Sequence, residues 1–200
     1  MANKLDALEQ VEVTSRAQWR AWLKKHHTRT TGIWLVTYKK HVEGKYLSFP
    51  DFVQEALCFG WIDGLARKLD ADRTMHYVRP RKPKSIWSAV NKRHVEELLT
   101  KDLMTPAGLR MIEAAKADGS WNALNAVDAL EVPADLTKAL AKNKTAKKYF
   151  EAFPPSARKF ILYWIGSAKT EATRTKRINE VVTLAAQNIR AGMQRPPART

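Results

Sequence analysis

Apolar residues recur at helical spacing just after Ser15: Trp19, Trp22 and Leu23 share one face, and Gln18 completes a capping box with the serine. A run dense in β-branched and aromatic residues, Gly32 to Tyr38, is too short for a helix and reads as a strand that ends in exposed Lys39, Lys40 and His41. Ser48 and Pro50 open a second helix whose Phe52, Val53, Ala56 and Leu57 face a core, with Gly60 placed to end it. Two further strands follow, Trp61 to Leu69 and Thr74 to Arg79, joined by a turn at Asp70 to Asp72. Ser85 then reads as the cap of a helix that groups Trp87, Val90, Asn91, His94, Val95 and Leu98 on one broad face. Thr105 and Pro106 mark another helix start and Gly119 its stop, with Leu109, Ile112 and Ala115 turned inward.

Beyond this point the pattern is helical only. Segments 133–140, 145–153, 155–168 and 170 to about 190 carry the signals. Phe160, Ile161, Trp164, Ile165 and Ala168 form one apolar stripe, and Ile178, Val181, Val182, Ala185 and Ile189 another. The fold class expected is α+β: a small, mostly antiparallel sheet packed by helices, then a helical C-terminal part packed on that core. The corresponding boundaries are an N-terminal tail at 1–14, the core at 15–120, the helical part at 121–190, and a tail at 191–200 whose two prolines and lack of periodicity suggest disorder.

Composition narrows the class without naming a function. Apolar residues at 44% and charged residues at 28% are ordinary for a globular chain of 200 residues. The longest apolar run, Phe160 to Ile165, is far too short to span a bilayer, and the acidic N-terminus lacks a signal peptide's apolar stretch, so a cytoplasmic protein is expected. Cys58 stands alone, which excludes an intramolecular disulfide, and the five histidines show no ligand spacing, so no metal is expected. P-loop, dinucleotide and nucleophile-elbow signatures are missing as well, so no cofactor is expected.

Net charge changes the picture more. At +15 the chain attracts anions, and the excess is uneven: Arg79 to Arg93 holds six Lys/Arg and no acid, and Lys138 to Ile178 holds eleven against two acids. Three strings could carry chemistry. LCFGWIDG, Leu57 to Gly64, sets Asp63 between two glycines and near Trp61, as a candidate base or acceptor, or simply as a turn residue. RPRKPKSIWSAVNK, Arg79 to Lys92, brings Arg79, Arg81, Lys84 and Ser85 to a presumptive helix start, where free N–H groups favour an anion; Trp87 would be a stacking wall, and Asn91 and Lys92 polar neighbours. AKTEATRTKRI, Ala168 to Ile178, sets Arg174 and Arg177 one turn apart, preceded by Lys169 and Thr173, either gripping one anion or pairing with acids of the fold.

These strings, with MTPAG at 104–108, resemble in order and spacing the bacterial YdeI/OmpD-associated, or bacteriocin-protection, family over about Trp19 to Leu184. The resemblance implies a small cytoplasmic α+β protein linked by name to bacteriocin tolerance and stress, and it brings no catalytic mechanism. Val78-Arg79 departs from the aromatic or threonine that the family would place before its Pro-Arg.

Three functions compete on the residues themselves. The first is a non-enzymatic protein that binds a small anionic ligand or an acidic protein partner in a basic, Trp-lined cleft. The second is a nucleic-acid binder whose affinity falls steeply with salt. The third is an enzyme on an anionic substrate with Asp63 as base, for which a burial-perturbed Asp63 beside the arginines would be the mark.

Overall fold

The computed structural model describes residues 5–193. The described residues divide into two compact units, with the boundary between Ala123 and Leu124.

Unit 1 holds β1 (Gln10–Glu12), α1 (Arg16–His26), β2 (Ile33–Tyr38), α2 (Phe49–Cys58), β3 (Trp61–Lys68), β4 (Arg73–Pro80), α3 (Ala89–Thr100) and α4 (Pro106–Ala117). The sheet order is β1-β2-β4-β3. β2, β4 and β3 are antiparallel neighbours, and β1 runs parallel to β2, so the sheet is mixed. β1 comes from the stretch read as an N-terminal tail. Its three residues are too few to show alternation, and pairing holds them: the Trp34 N–H donates to Glu9 O and the Val13 N–H to Val36 O.

Local signals place most elements. Ser15 accepts from the Gln18 N–H, Ser48 from Asp51 and Thr105 from Gly108, each satisfying an orphan donor at its helix start. Asp70 closes the β3–β4 hairpin by accepting from the Asp72 and Arg73 N–H groups. The helix expected to begin at Ser85 begins instead at Ala89, capped by Ser88 Oγ on the Asn91 N–H. The Arg81 Nη1 accounts for the shift, because it donates to Ser85 O and Ile86 O, the carbonyls a helix there would need. Lys84 sits just before them at φ 59°, in the left-handed region.

One core, from Trp19, Leu23, Ile33, Leu35, Phe52, Trp61, Val78, Val95 and Ile112, fills the space between helices and sheet. Its least expected member is Glu55, 2% exposed, whose carboxylate accepts from Arg16 Nε and Arg20 Nη1 at 2.6 and 2.7 Å. The MTPAG string is spent on packing here. Thr105 Oγ1 donates to Cys58 O, and a Cβ on Gly108 would lie 2.7 Å from Leu57 O and closer still to Cys58 O, so only glycine lets α4 approach the end of α2 this closely.

Unit 2 is helical throughout its described part: α5 (Asn125–Asp128), α6 (Ala134–Ala141), α7 (Lys144–Ala152), α8 (Pro155–Gly166) and α9 (Glu171–Ala185). Leu136, Phe150, Ile161, Ile165, Ile178 and Val181 form its core. Phe160 and Ile189, read as stripe members, are exposed: Phe160 lies on the outer side of α8, and Ile189 follows the end of α9. The segment 194–200 of the presumed disordered tail lies outside the described residues.

Candidate functional site

The hairpin strand β4 delivers Arg79, Pro80 and Arg81 to one end of the sheet. Alternation turns Arg79 to the same side as Tyr77, opposite buried Val78, and Arg81 follows the last strand residue with its side chain buried. The Arg81 N–H donates to Gly60 O at 2.9 Å, and Gly60, at φ 76°, turns the chain from α2 into β3 at this point. Gly32 lies beside them. A Cβ there would stand 2.6 Å from the Tyr77 ring and 2.8 Å from Arg79 Cβ, so the glycine lets the β2 start pass against β4.

Arg81 is the unusual group. It is 5% exposed, and its guanidinium carbon lies over the Trp87 ring, 3.6 Å from the centroid. Nη1 is spent on the two loop carbonyls, whereas Nε and Nη2 are buried and find no partner among the described residues. Burial lowers its pKa to about 10, with the Arg79 charge adding to the effect and the Asp63 charge opposing it. It remains a cation at neutral pH. Arg79 is half-buried, and its Nη1 is also without a protein partner. A buried donor left unsatisfied costs about 1–3 kcal/mol, more when charged, so such a cluster needs a reason.

Arg79 and Arg81 both line a cavity of about 440 Å³ with Arg29, Tyr77, Leu8 and Lys82, within the size range of small-molecule pockets. No acidic residue lines it among the described residues. Arg29 is paired with Glu9 at 2.6 Å, whereas Arg79, Arg81 and Lys82 form no ion pair among the described residues, Asp63 acting on Arg81 only from a distance. Arg81 also borders a cavity of about 10 Å³ shared with Trp87 and Ser120, whose indole N–H and hydroxyl lack protein partners.

Asp63, on β3 opposite Val78, is half-buried. Burial pushes its carboxyl above the usual range, while its own backbone N–H and the Arg81 charge pull it down. The other residues singled out in the sequence have different places. Trp61 is fully buried, and its indole donates to His27 O, so it belongs to the core. Trp87 is 1% exposed, with Arg81 on one side and Trp121 4.9 Å away; it is the platform for Arg81 and offers no face to a ligand. Lys84 is exposed, and its backbone N–H donates to Asp118, while the Ser85 N–H closes a turn on Lys82 O. Asn91 lies in the first turn of α3, and Lys92 Nζ stands 5.6 Å from the Trp121 ring.

In unit 2, Arg174 is held bidentately by Asp135, with Nε–Oδ2 at 2.6 Å and Nη2–Oδ1 at 3.0 Å. Arg177 donates to Trp164 O and to Ser167 Oγ. Thr173 gives its N–H to the capping Thr170, and Lys169 is exposed. Both arginines are therefore engaged by their own unit. Arg29, Leu8 and Ser120 carried no sequence signal, since only the tertiary fold and the turn after α4 bring them to Arg79 and Arg81.

Residues 11–111, just over half of the chain, match the family model described as Domain of unknown function (DUF8412). Residues 129–188 match the model described as Bacteriocin-protection, YdeI or OmpD-Associated. LCFGWIDG, PRKPKSIWSAVNK and MTPAG fall in the first span, and AKTEATRTKRI in the second. Neither the curated proteins nor the solved structures gave a match. The chain thus belongs to the DUF8412 family through the unit that carries Arg81, and its residues 129–188 to the bacteriocin-protection, YdeI or OmpD-associated family.

Proposed function

We propose that this protein is a non-enzymatic, cytoplasmic binding protein of the bacteriocin- and stress-tolerance type, and that unit 1 takes a small anion or an acidic group of a partner at Arg79 and Arg81. The observation that carries the reading is Arg81, a buried guanidinium with one edge unpartnered beside a cavity that no carboxylate lines. Folding a charge into that position without pairing it destabilises the chain, and a bound anion would offset the cost. Arg174 and Arg177, each satisfied within unit 2, are left out of the binding set.

The test is thermal unfolding of the full chain, near physiological salt, against phosphates, nucleotides, carboxylates, sugar acids and short single-stranded nucleic acids. A ligand present at 100 times its dissociation constant stabilises the fold by about 2.7 kcal/mol. A shift with a small anion that disappears in Arg81→Met supports the reading. Shifts confined to polynucleotide and fading with salt, or shifts that survive in Arg81→Met, overturn it.

One observation favours a second reading. Asp63 combines a burial-raised pKa with a facing cation, the combination expected of a general base acting on an anionic substrate. Asp63→Asn decides it once a ligand is in hand, since turnover unchanged by the substitution removes Asp63 from any reaction.

A further inference from the structure

We infer that the group bound at Arg79 and Arg81 is a phosphate monoester of a small organic molecule with an apolar body; this rests on the anion-binding reading and narrows it. The protein supplies its own comparison for the seat. Arg174 uses its Nε and Nη2 edge to hold both oxygens of Asp135. Arg81 has the same edge, Nε with Nη2, and there it is unpartnered, while Nη1 is pinned to Ser85 O and Ile86 O and fixes the plane. That fork matches two coplanar oxygens of a carboxylate or a phosphate.

Arg79 decides between the two. Its buried, unpartnered Nη1 is a third donor, and a phosphate monoester has a third terminal oxygen where a carboxylate has none. Charge agrees with the donor count. Arg79, Arg81 and Lys82 line the cavity with no acid among the lining residues, and Asp63, which acts on Arg81, is not one of them. Such a site favours a dianion over a monoanion. Leu5, Leu8, Tyr77, Pro80 and Pro83 make the rest of the wall apolar, which inorganic phosphate would leave unused. The 82–86 loop borders the cavity through Lys82 and Pro83, and four of its five residues are exposed.

Calorimetric titration of the full chain with phenyl phosphate, inorganic phosphate and benzoate tests the assignment. Phenyl phosphate is expected to bind about tenfold or more tightly than either of the others. Arg79→Gln, with its fold checked by circular dichroism, is expected to bring phenyl phosphate down to the level of benzoate and to leave benzoate little changed. Benzoate or inorganic phosphate binding as tightly as phenyl phosphate overturns the assignment, as does a preference that survives in Arg79→Gln. The anion reading itself stands through those results as long as Arg81→Met abolishes the binding. No binding by any of the three compounds, or binding indifferent to Arg81→Met, overturns both.

Discussion

Replacing Arg81 by methionine separates what the guanidinium does for the fold from what it does for a ligand. The pKa of about 10, well below that of an ordinary guanidinium, means that the native environment disfavours the charged form. At about 1.4 kcal/mol per unit this amounts to a penalty on the order of 3 kcal/mol in the ligand-free protein. Against it stand the stacking on Trp87, worth about 1–2 kcal/mol, and hydrogen bonds to Ser85 O and Ile86 O. Those two residues are half-buried and exposed, so water replaces much of what the carbonyls lose. Methionine keeps most of the packing on the indole. The expected result is that Arg81→Met unfolds no more easily than the parent and gains up to about 2 kcal/mol, in line with the general outcome of replacing buried charges by apolar residues of similar size. Arg81→Ala removes the side-chain volume as well and should lose about 2–3 kcal/mol.

Urea titration followed by tryptophan fluorescence is the suitable assay, because six of the seven tryptophans, all but Trp164, lie in unit 1. A loss above about 3 kcal/mol in Arg81→Met would refute the reasoning, since it would make the guanidinium a structural tie and not a charge held open for a ligand.

Three other substitutions probe separate features. Gly108→Ala pushes a methyl group against Leu57 O and Cys58 O and should cost about 1–3 kcal/mol or more, seen as a lower urea midpoint; an unchanged midpoint would mean that α4 is free to move away. His76 packs on Phe52 with ring centroids 4.6 Å apart, and burial lowers its pKa, so the unfolded chain takes up the proton first. Stability should therefore decline as pH falls below about 6.5, and His76→Phe should flatten that part of the profile; an identical slope in the variant would contradict the assignment. Asp135 is held below the usual carboxylate range, chiefly by its hydrogen bonds from Arg174, so its contribution is present above about pH 4 and is lost as pH falls through the lowered folded value. With the pair partly exposed, Asp135→Asn should cost less than about 1 kcal/mol by helical circular dichroism at neutral pH, and a cost that persists unchanged in acid would count against the pairing.

The features that proved readable in the sequence are those whose cause lies within a few residues. Ser15, Ser48 and Thr105 cap helices that begin beside them, and Asp70 closes a hairpin with its own neighbours. Ser85 and Ser88 both precede helical patterns, and the choice between them rests on Arg81 taking two carbonyls, which spacing cannot reveal. The same holds for the site. Arg79 and Arg81 stood out by charge, but that Trp87 would support Arg81 from inside the core depends on packing. Arg174 looked equally available, and its partner Asp135 lies 39 residues earlier in the chain. Arg29, Leu8 and Tyr77 reach the cavity from three separate segments, which spacing along the chain does not bring together.

The three-residue β1 has a consequence for handling the protein. β2 behind it is buried from Ile33 to Thr37, and its outer backbone edge is covered by the segment Glu9 to Val13, with Leu5 O taking the Trp34 indole N–H. A chain shortened to begin at Thr14 would present a flat, apolar row of unpaired N–H and C=O groups, the kind of surface on which a second molecule's strand can add. The exposed Gln10 and Glu12 make the present edge short and polar, so the segment Glu9 to Val13 acts as a guard against self-templated assembly and is poorly suited to trimming.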